Sequence, residues 1–80
     1  MFQMSQLPAQ LGKIISTMRQ SKGLSQEELA DVAGIHRTYV SQLERGLKSP
    51  TVVVLVRIAR ALGSKPSKIL RALEDETDEI

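Results

Sequence analysis

The chain has 80 residues and no cysteine, which corresponds to one small domain and excludes disulfide bonds and thiolate metal sites. All eleven Lys and Arg lie in residues 1–73 together with four of the nine acids, whereas residues 74–79 carry the other five, so a basic body precedes an acidic end. The longest apolar run, Val52 to Val56, is too short to cross a bilayer, and the first residues lack the basic and apolar regions of a signal peptide, so we expect a soluble cytoplasmic protein.

The first predicted helix runs from about Pro8 to Lys22. Proline suits the first helical position, and Gly23 suits the position just after a helix end. Apolar residues recur along this segment at helical spacing: Leu11, Ile14, Ile15 and Met18. We therefore expect a helix with one face in the core, preceded by a flexible N-terminus over residues 1–6.

The second predicted helix begins with a capping box. The side chain of Ser25 can accept a hydrogen bond at the helix start, while Glu28, three residues later, reaches back to the backbone of Ser25. The helix ends at Gly34. Its buried face consists of three small or aliphatic residues: Leu29, Ala30 and Ala33.

The third predicted helix runs from Arg37 to Arg45 and stops at Gly46. Val40 and Leu43 give it the apolar spacing of a short amphipathic helix. Lysine, glutamate and alanine usually fill a solvated helix face, but this stretch carries hydrogen-bonding side chains of several kinds: His36, Arg37, Thr38, Tyr39, Ser41 and Gln42. Such a face is suited to recognition.

A fourth helix is predicted between Thr51, which suits the N-cap, and Gly63, which suits the stop. The run Val52 to Val54 taken alone resembles a strand. A helix is nevertheless favoured by the cap and by the spacing of the residues that follow: Leu55, Ile58, Ala59 and Leu62.

A fifth helix is predicted to start near Pro66, with three apolar residues: Ile69, Leu70 and Leu73. Lys65 precedes it, where a better N-cap residue would be expected. Residues 74–80 are expected to form an acidic, disordered tail. Five short helices in residues 7–73 predict an all-α domain.

The second and third predicted helices are separated only by residues 34–36. A connection this short holds two helices at a steep angle, as in a helix-turn-helix, which would span residues 26–45. This geometry requires a small residue where the helices approach, here Ala30, and a residue that tolerates positive φ at the turn, here Gly34. The shared core would be filled by the remaining apolar residues of the motif: Leu29, Ala33, Ile35, Val40 and Leu43.

The stretch "LSQEELADVAGIHRTYVSQLERG", followed by "SPTVVVLVRIARALG", resembles the Cro/phage-repressor (XRE-like) helix-turn-helix family. The part "HRTYVSQLERG" is especially similar to the small controller proteins of restriction-modification systems. The resemblance covers about residues 9–73. It implies a compact five-helix, lambda-repressor-like DNA-binding domain, and double-stranded DNA as the partner.

The resemblance also implies which residues touch DNA. With the third helix in the major groove, three residues match positions that commonly face bases: Arg37, Thr38 and Gln42. Arginine suits guanine O6 and N7, glutamine suits adenine N6 and N7, and the threonine methyl can touch a thymine methyl. Phosphate or mixed contacts are expected from seven residues: Gln26, His36, Tyr39, Ser41, Arg45, Lys48 and Ser49. Alternatively, Tyr39 is an aromatic at the edge of the core, and His36 only a poor N-cap.

Two further roles are structural. The resemblance implies that Arg19 pairs with Glu44 and thereby ties the first helix to the end of the third. Because one short recognition helix reads few base pairs, we also expect a homodimer. The fifth helix is the first candidate for its interface, through Ile69, Leu70 and Leu73, although these residues could equally close the core of the monomer.

The sequence gives no indication of an enzyme. His36 is the only histidine and has no carboxylate in view to orient it, and neither a glycine-rich phosphate loop nor a metal-ligand spacing is present. We therefore expect no cofactor, metal, membrane or small-molecule ligand. Four alternatives to the restriction-modification controller stay open: a phage repressor or Cro-like protein, an antitoxin, a DNA-binding fragment of a larger regulator, and a protein–protein adaptor with the same fold.

Overall fold

The computed structural model describes residues 5–80, and this part of the chain forms five α-helices joined by short connections. They are α1 (Leu7–Ser21), α2 (Gln26–Ala33), α3 (Arg37–Glu44), α4 (Val52–Ala61) and α5 (Pro66–Glu76). The predicted all-α fold is confirmed, and the predicted boundaries of the first four helices and the predicted start of the fifth lie within one residue of the observed ones. Within residues 5–80, none of the helices combines the length and the apolarity that crossing a membrane requires.

Side-chain caps fix the starts of α2 and α4. The backbone N–H of Glu28 donates to Ser25 Oγ at 3.0 Å, and the backbone N–H of Ser25 donates to Glu28 Oε1 at 2.8 Å, which completes the predicted capping box. At α4, Thr51 Oγ1 accepts from the backbone N–H of Val54 at 3.2 Å. This cap explains why the valine run is helical despite its strand-like composition.

The core consists of two adjoining clusters of buried residues. The first lies beneath the helix-turn-helix and joins α1, α2, α3 and the C-terminal half of α4 through Ile15, Leu29, Ala30, Ala33, Val40, Leu43, Ile58 and Leu62. The second joins α1, α4 and α5 through Ile14, Leu55, Ala59, Ile69 and Leu73. Helix α1 contributes to both clusters, so it connects the helix-turn-helix to the C-terminal helix.

Helix α1 approaches the C-terminal end of α3 unusually closely at Gly12. A Cβ atom on Gly12 would collide with the backbone carbonyl oxygen of Leu43 and would lie 2.7 Å from that of Glu44. Just beyond α3, Gly46 adopts φ of 75° and packs on Ala9, whose Cα would be 2.8 Å from an added Cβ. Glycine at both positions lets the two helix backbones touch.

The acidic end of the chain is more ordered than the sequence indicated. Helix α5 continues to Glu76, whose carbonyl oxygen accepts from Gln10 Nε2 at 3.1 Å. Beyond the helix, the Glu79 carboxylate accepts from Ser5 Oγ at 2.6 Å and from the backbone N–H of Gln6 at 2.8 Å. These contacts lie within residues 74–80, for which the sequence predicts a disordered tail, and the structure describes Glu76 and Glu79 as hydrogen-bonded. Of the predicted flexible N-terminus, residues 1–4 lie outside the described residues, and residues 5 and 6 are held by Glu79.

The contact made by Glu79 has a physical reason. Gln6 is the N-cap of α1, but its side chain makes no capping hydrogen bond, and the first turn of α1 contains no acidic residue. The N-terminus of a helix carries a partial positive charge and free N–H groups, which a carboxylate satisfies. Glu79 supplies that carboxylate from the opposite end of the chain.

We expect Glu79→Gln to lower the free energy of unfolding by about 0.3–1 kcal/mol, because the charge opposite the helix dipole is lost. Thermal unfolding at low salt measures this change, and the difference from the unmodified protein should shrink at high salt. The matched control is Asp78→Asn, which removes a neighbouring charge that makes no such contact. Equal effects of the two substitutions would mean that only net charge matters.

Candidate nucleic-acid interface

The turn between α2 and α3 sets the position of α3. Gly34 caps α2 in the left-handed conformation, with φ of 72° and ψ of 35°. The backbone N–H of Ile35 then donates to the carbonyl of Ala30 at 3.0 Å, which closes the end of α2. Ile35 is half-buried against the core below the motif. The predicted requirements for Ala30 and Gly34 are both met, and three residues suffice to connect the two helices.

Helix α3 has one buried face and one solvent face. Val40 and Leu43 are each 1% exposed and lie in the core beneath the motif. Arg37 and Thr38 are exposed, while Ser41 and Gln42 are partly exposed. The side chains predicted to read bases are thus on the helix surface that the rest of the domain leaves open.

Two aromatic residues of this region differ in position. Tyr39 is half-buried and packs against the core below the motif, so the body of its ring belongs to the core edge. His36 is exposed and occupies the N-cap of α3, but its side chain makes no capping hydrogen bond. The imidazole therefore does not accept a hydrogen bond from the backbone N–H groups at the start of α3.

An ion pair joins α1 to the end of α3. Arg19 Nε donates to Glu44 Oε2 at 2.6 Å and Arg19 Nη2 donates to Glu44 Oε1 at 3.0 Å, which is the bidentate geometry favoured by a guanidinium and a carboxylate. Arg19 Nη1 also donates to the carbonyl of Leu24 at 2.7 Å, in the loop before α2. The two side chains are 12% and 6% exposed. The structure therefore places Arg19 and Glu44 in the predicted pair.

Gln26 joins the same network. Its Nε2 donates to Glu44 Oε1 at 3.0 Å, and its side chain is half-buried at the first position of α2. The sequence predicts a phosphate contact for Gln26 and indicates no partner within the protein. In the structure its amide donates to the carboxylate of Glu44, so that α1, the start of α2 and the end of α3 share one network.

The network controls the ionisation of Glu44. Burial by itself raises the pKa of the Glu44 carboxyl, but hydrogen bonds from Arg19, Gln26 and Ser16 and the charge of Arg19 outweigh it, so the pKa lies below its ordinary value. The hydrogen bond to Glu44 raises the pKa of Arg19 against the effect of burial. Glu44 is therefore ionised at neutral pH, and its charge is compensated within the domain.

The loop after α3 presents polar and charged groups next to the solvent face of that helix. Arg45, Lys48 and Ser49 are all exposed, as the expected phosphate contacts require. The carbonyl of Gln42 accepts from the backbone N–H of Leu47 at 2.9 Å, which fixes the path of the loop as it leaves α3. The loop thus holds its side chains close to α3 without burying them.

A helix-turn-helix family profile matches residues 15–69, a range that includes α2, α3 and α4. The chain belongs to the XRE-like helix-turn-helix family of DNA-binding transcriptional regulators. This confirms the family resemblance seen in the sequence.

Several members of the helix-turn-helix family are similar to this chain. It is 43% identical over 53 residues to the HTH-type transcriptional regulator y4dJ of Sinorhizobium fredii, which covers 66% of this chain and 69% of that protein. It is 37% identical over 60 residues to the control protein C.SmaI of Serratia marcescens, a match that covers 75% of this chain and 71% of that protein.

Solved structures of helix-turn-helix proteins have the same fold. The restriction-modification controller protein C.AhdI from Aeromonas hydrophila superposes with a TM-score of 0.75 at 36% identity, over 76% of this chain and 92% of that one. The clp gene regulator ClgR from Corynebacterium glutamicum superposes with a TM-score of 0.84 at 27% identity, over 96% of this chain and 100% of that one.

The expected dimer surface of this helix-turn-helix protein needs correction. Ile69 is fully buried and Leu73 is 6% exposed, because both close the protomer's own core against α1 and α4. Of the three predicted interface residues, only Leu70, at 44% exposed, is available to a partner. Apolar spacing on a terminal helix does not distinguish a core face from an interface, so the sequence could not separate these roles.

No role was predicted for Gly12, which allows α1 to contact the end of α3. The available signal was a lone glycine inside a helical pattern, since such a glycine lowers helix stability and usually has a packing reason. The carbonyl of Leu24 was likewise missed as a third partner of Arg19. A backbone acceptor leaves no signal in the side-chain pattern.

Proposed function

We propose that this helix-turn-helix regulator binds a two-fold-symmetric DNA operator as a homodimer, with α3 of each protomer in the major groove of one half-site. The observation that carries the proposal is the division of α3 into a buried apolar face and an exposed face of mixed hydrogen-bonding groups. Each base pair presents a different edge pattern in the major groove, so a reading helix needs side chains of several kinds.

In this proposal Arg37, Thr38 and Gln42 contact bases. The contacts to phosphate come from the residues around them: Gln26, His36, Tyr39, Ser41, Arg45, Lys48 and Ser49. Tyr39 is half-buried, so its hydroxyl rather than its ring would reach DNA. Gln26 would donate to phosphate the amide hydrogen that remains beside its bond to Glu44, and the free N–H groups at the start of α2 would also favour a phosphate there.

The regulated genes are inferred from relatives. C.SmaI and C.AhdI are described as control proteins, the latter of a restriction-modification system, and we propose the same class of role for this chain. It would act on DNA in the cytoplasm, at the nucleoid, without enzymatic activity. The phage-type regulator and the antitoxin bind DNA in the same way and differ only in the genes they control.

The test separates base contacts from phosphate contacts. Arg37→Ala is expected to lose most of the preference at one base position, about 1–3 kcal/mol of discrimination, while retaining binding to random duplex. Lys48→Ala is expected to weaken specific and random duplex alike and to make the slope of log K against log salt shallower by about 0.9. The operator is first obtained by selection from a random duplex pool, and single-base variants are then titrated at several salt concentrations.

Two results would contradict this assignment. If Arg37→Ala weakened every duplex equally, the preference would have to come from Thr38, Gln42 or the shape of the DNA. If selection enriched no sequence, a protein–protein adaptor would be the better description. An asymmetric enriched sequence would contradict the two-fold operator alone.

The proposed dimer interface lies on exposed apolar side chains of α4 and α5. Val52 and Val53 are 77% and 61% exposed at the start of α4, and Leu70 is exposed on α5. Leu55 and Ala59 of α4 pack with Ile69 and Leu73 of α5, so the two helices are in contact along their buried sides. Burying these exposed residues against a second copy would remove apolar surface from water.

We expect Val52→Glu and Leu70→Glu to convert the dimer to a folded monomer, because an unpaired carboxylate in an apolar contact is costly. Both positions are exposed in the protomer, and an acid in the first turn of α4 is favoured by the helix dipole, so the fold should remain. Sedimentation measures the association state and circular dichroism the helix content. The control is Val32→Glu, at a valine on α2 whose exposure of 67% lies between those of Val52 and Leu70. If both test variants remained dimeric, the interface would lie elsewhere.

A further inference from the structure

An open groove lies between α1 and α5, beside the turn that connects α4 to α5. Its volume is about 630 Å³, which is within the range of small-molecule sites. Its floor is apolar and consists of Ile14, Met18, Leu62 and Ala72. Neither the proposed DNA contacts nor the proposed dimer surface includes a residue of this groove.

The edge of the groove is basic. Lys13 and Lys22 line it from the α1 side and Lys68 lines it from α5, whereas Glu76 is the one acid among the lining residues. In the described part of the chain, the recorded ion pair joins Arg19 to Glu44, and none of these three ammonium groups lies within salt-bridge distance of a carboxylate. Three positive charges and one negative charge therefore surround an apolar floor, and the edge of the groove is net positive.

A hydroxyl in the groove wall also has no partner. Ser64 Oγ is inaccessible to solvent and makes no hydrogen bond in the structure. The same turn brings Lys22 close, since a Cβ atom on Gly63 would lie 2.8 Å from Lys22 Nζ. A buried polar group without a partner is costly, so this turn is a less stable part of the groove wall.

We propose that this groove binds a small amphipathic anion, with an apolar body on the floor and one carboxylate or phosphate group held by the lysines at its edge. The inference revises the expectation from the sequence that the protein has no small-molecule ligand. It goes beyond the proposed DNA-binding role and does not depend on it. The lysine ammonium groups supply the attraction for the anion, and the aliphatic floor supplies burial for its body.

The groove and the DNA-facing motif use different sides of α1. Gly12 and Arg19 face α3, whereas Lys13, Thr17 and Ser21 line the groove. Successive residues of a helix are rotated by roughly 100°, so Lys13 points away from the direction of Gly12. An anion in the groove would therefore leave the recognition helix accessible.

The test uses four probes with the same eight-carbon chain, below their micelle concentrations: octanoate, octyl phosphate, octanol and octyltrimethylammonium. Amide chemical shifts of the full chain are followed by nuclear magnetic resonance. We expect at least one anion to give saturable shifts confined to Thr17, Ser64, Lys68 and Ala72, with at least tenfold tighter binding than the alcohol or the cation. The comparison of the two anions identifies the preferred head group.

Variants then test the groove itself. Lys22→Gln with Lys68→Gln should weaken the anion at least tenfold without weakening octanol, whereas the control Lys48→Gln, outside the groove, should leave it unchanged. Operator titration of the same variants shows whether DNA binding is intact, which keeps the two proposals separable. The proposal is overturned if no probe gives saturable shifts, if octanol binds as tightly as the anions, or if the shifts centre on Val52, Val53 and Leu70.

Discussion

Glu44→Ala is expected to lower the free energy of unfolding by about 3 kcal/mol, because it removes one partner of a largely buried ion pair. Arg19 would retain only the carbonyl of Leu24, and its guanidinium would stay in place with an uncompensated charge. Gln26 would lose its acceptor at the same time. Chemical denaturation measures the loss, and Glu74→Ala, an exposed acid on α5, serves as the matched control.

The double variant Arg19→Met with Glu44→Met distinguishes a stranded charge from lost packing. It should be less destabilised than the sum of the two single variants, since no charge remains buried. An additive result would mean that the pair contributes little as a pair. Unchanged stability of Glu44→Ala together with lost DNA binding would assign Glu44 to recognition rather than to the fold.

The effect of Glu44 should also depend on pH. Its pKa is lowered in the folded protein, so its contribution to stability is fully present above the unfolded value of about 4.3 and is lost as the pH falls through the folded value. The difference in unfolding free energy between the unmodified protein and Glu44→Gln should therefore shrink below about pH 4.5. A difference that is constant from pH 7 to pH 3 would contradict this.

Gly12→Ala is expected to destabilise the protein by about 1–3 kcal/mol or more, although the same change in an ordinary helix interior stabilises it by about 1 kcal/mol. The reversal of sign follows from the contact with α3, because the new Cβ would meet the backbone carbonyls of Leu43 and Glu44. Backbone atoms inside a helix cannot rotate away as a flexible side chain can. The two helices would have to separate.

Thermal unfolding of Gly12→Ala and of the control Gln20→Ala, exposed on the same helix, measures this effect. The control should change the melting temperature little. Because α3 would be displaced, the operator affinity of Gly12→Ala should fall even at a temperature where the variant is fully folded. A stabilised variant would show that α1 and α3 pack less closely than the structure indicates.

Local signals explain why most of the fold could be predicted. The Ser25–Glu28 capping box and the Thr51 cap each involve residues three apart, and both formed as the sequence indicated. The valine run after Thr51 became helical because the cap and the apolar spacing outweigh β-branched propensity. The short connection between α2 and α3 likewise left few possible geometries.

Contacts between distant residues explain what could not be predicted. Glu79 and Ser5 are 74 positions apart, and nothing in either segment identifies the other as its partner. The bond between Gln26 and Glu44 spans 18 positions and depends on where α1 places Arg19. Ile69 and Leu73 carry the same apolar pattern whether they face α1 or a second protomer.

The buried face and the solvent face of α3 differ in how much sequence change they tolerate as such regulators diverge. Val40, Leu43 and Glu44 are committed to the core and to the ion pair, whereas Arg37 and Thr38 make no contact on which the fold depends. Surface substitutions away from such features usually change stability by less than about 0.5 kcal/mol. The solvent face of α3 can therefore accumulate substitutions while the rest of the domain stays the same.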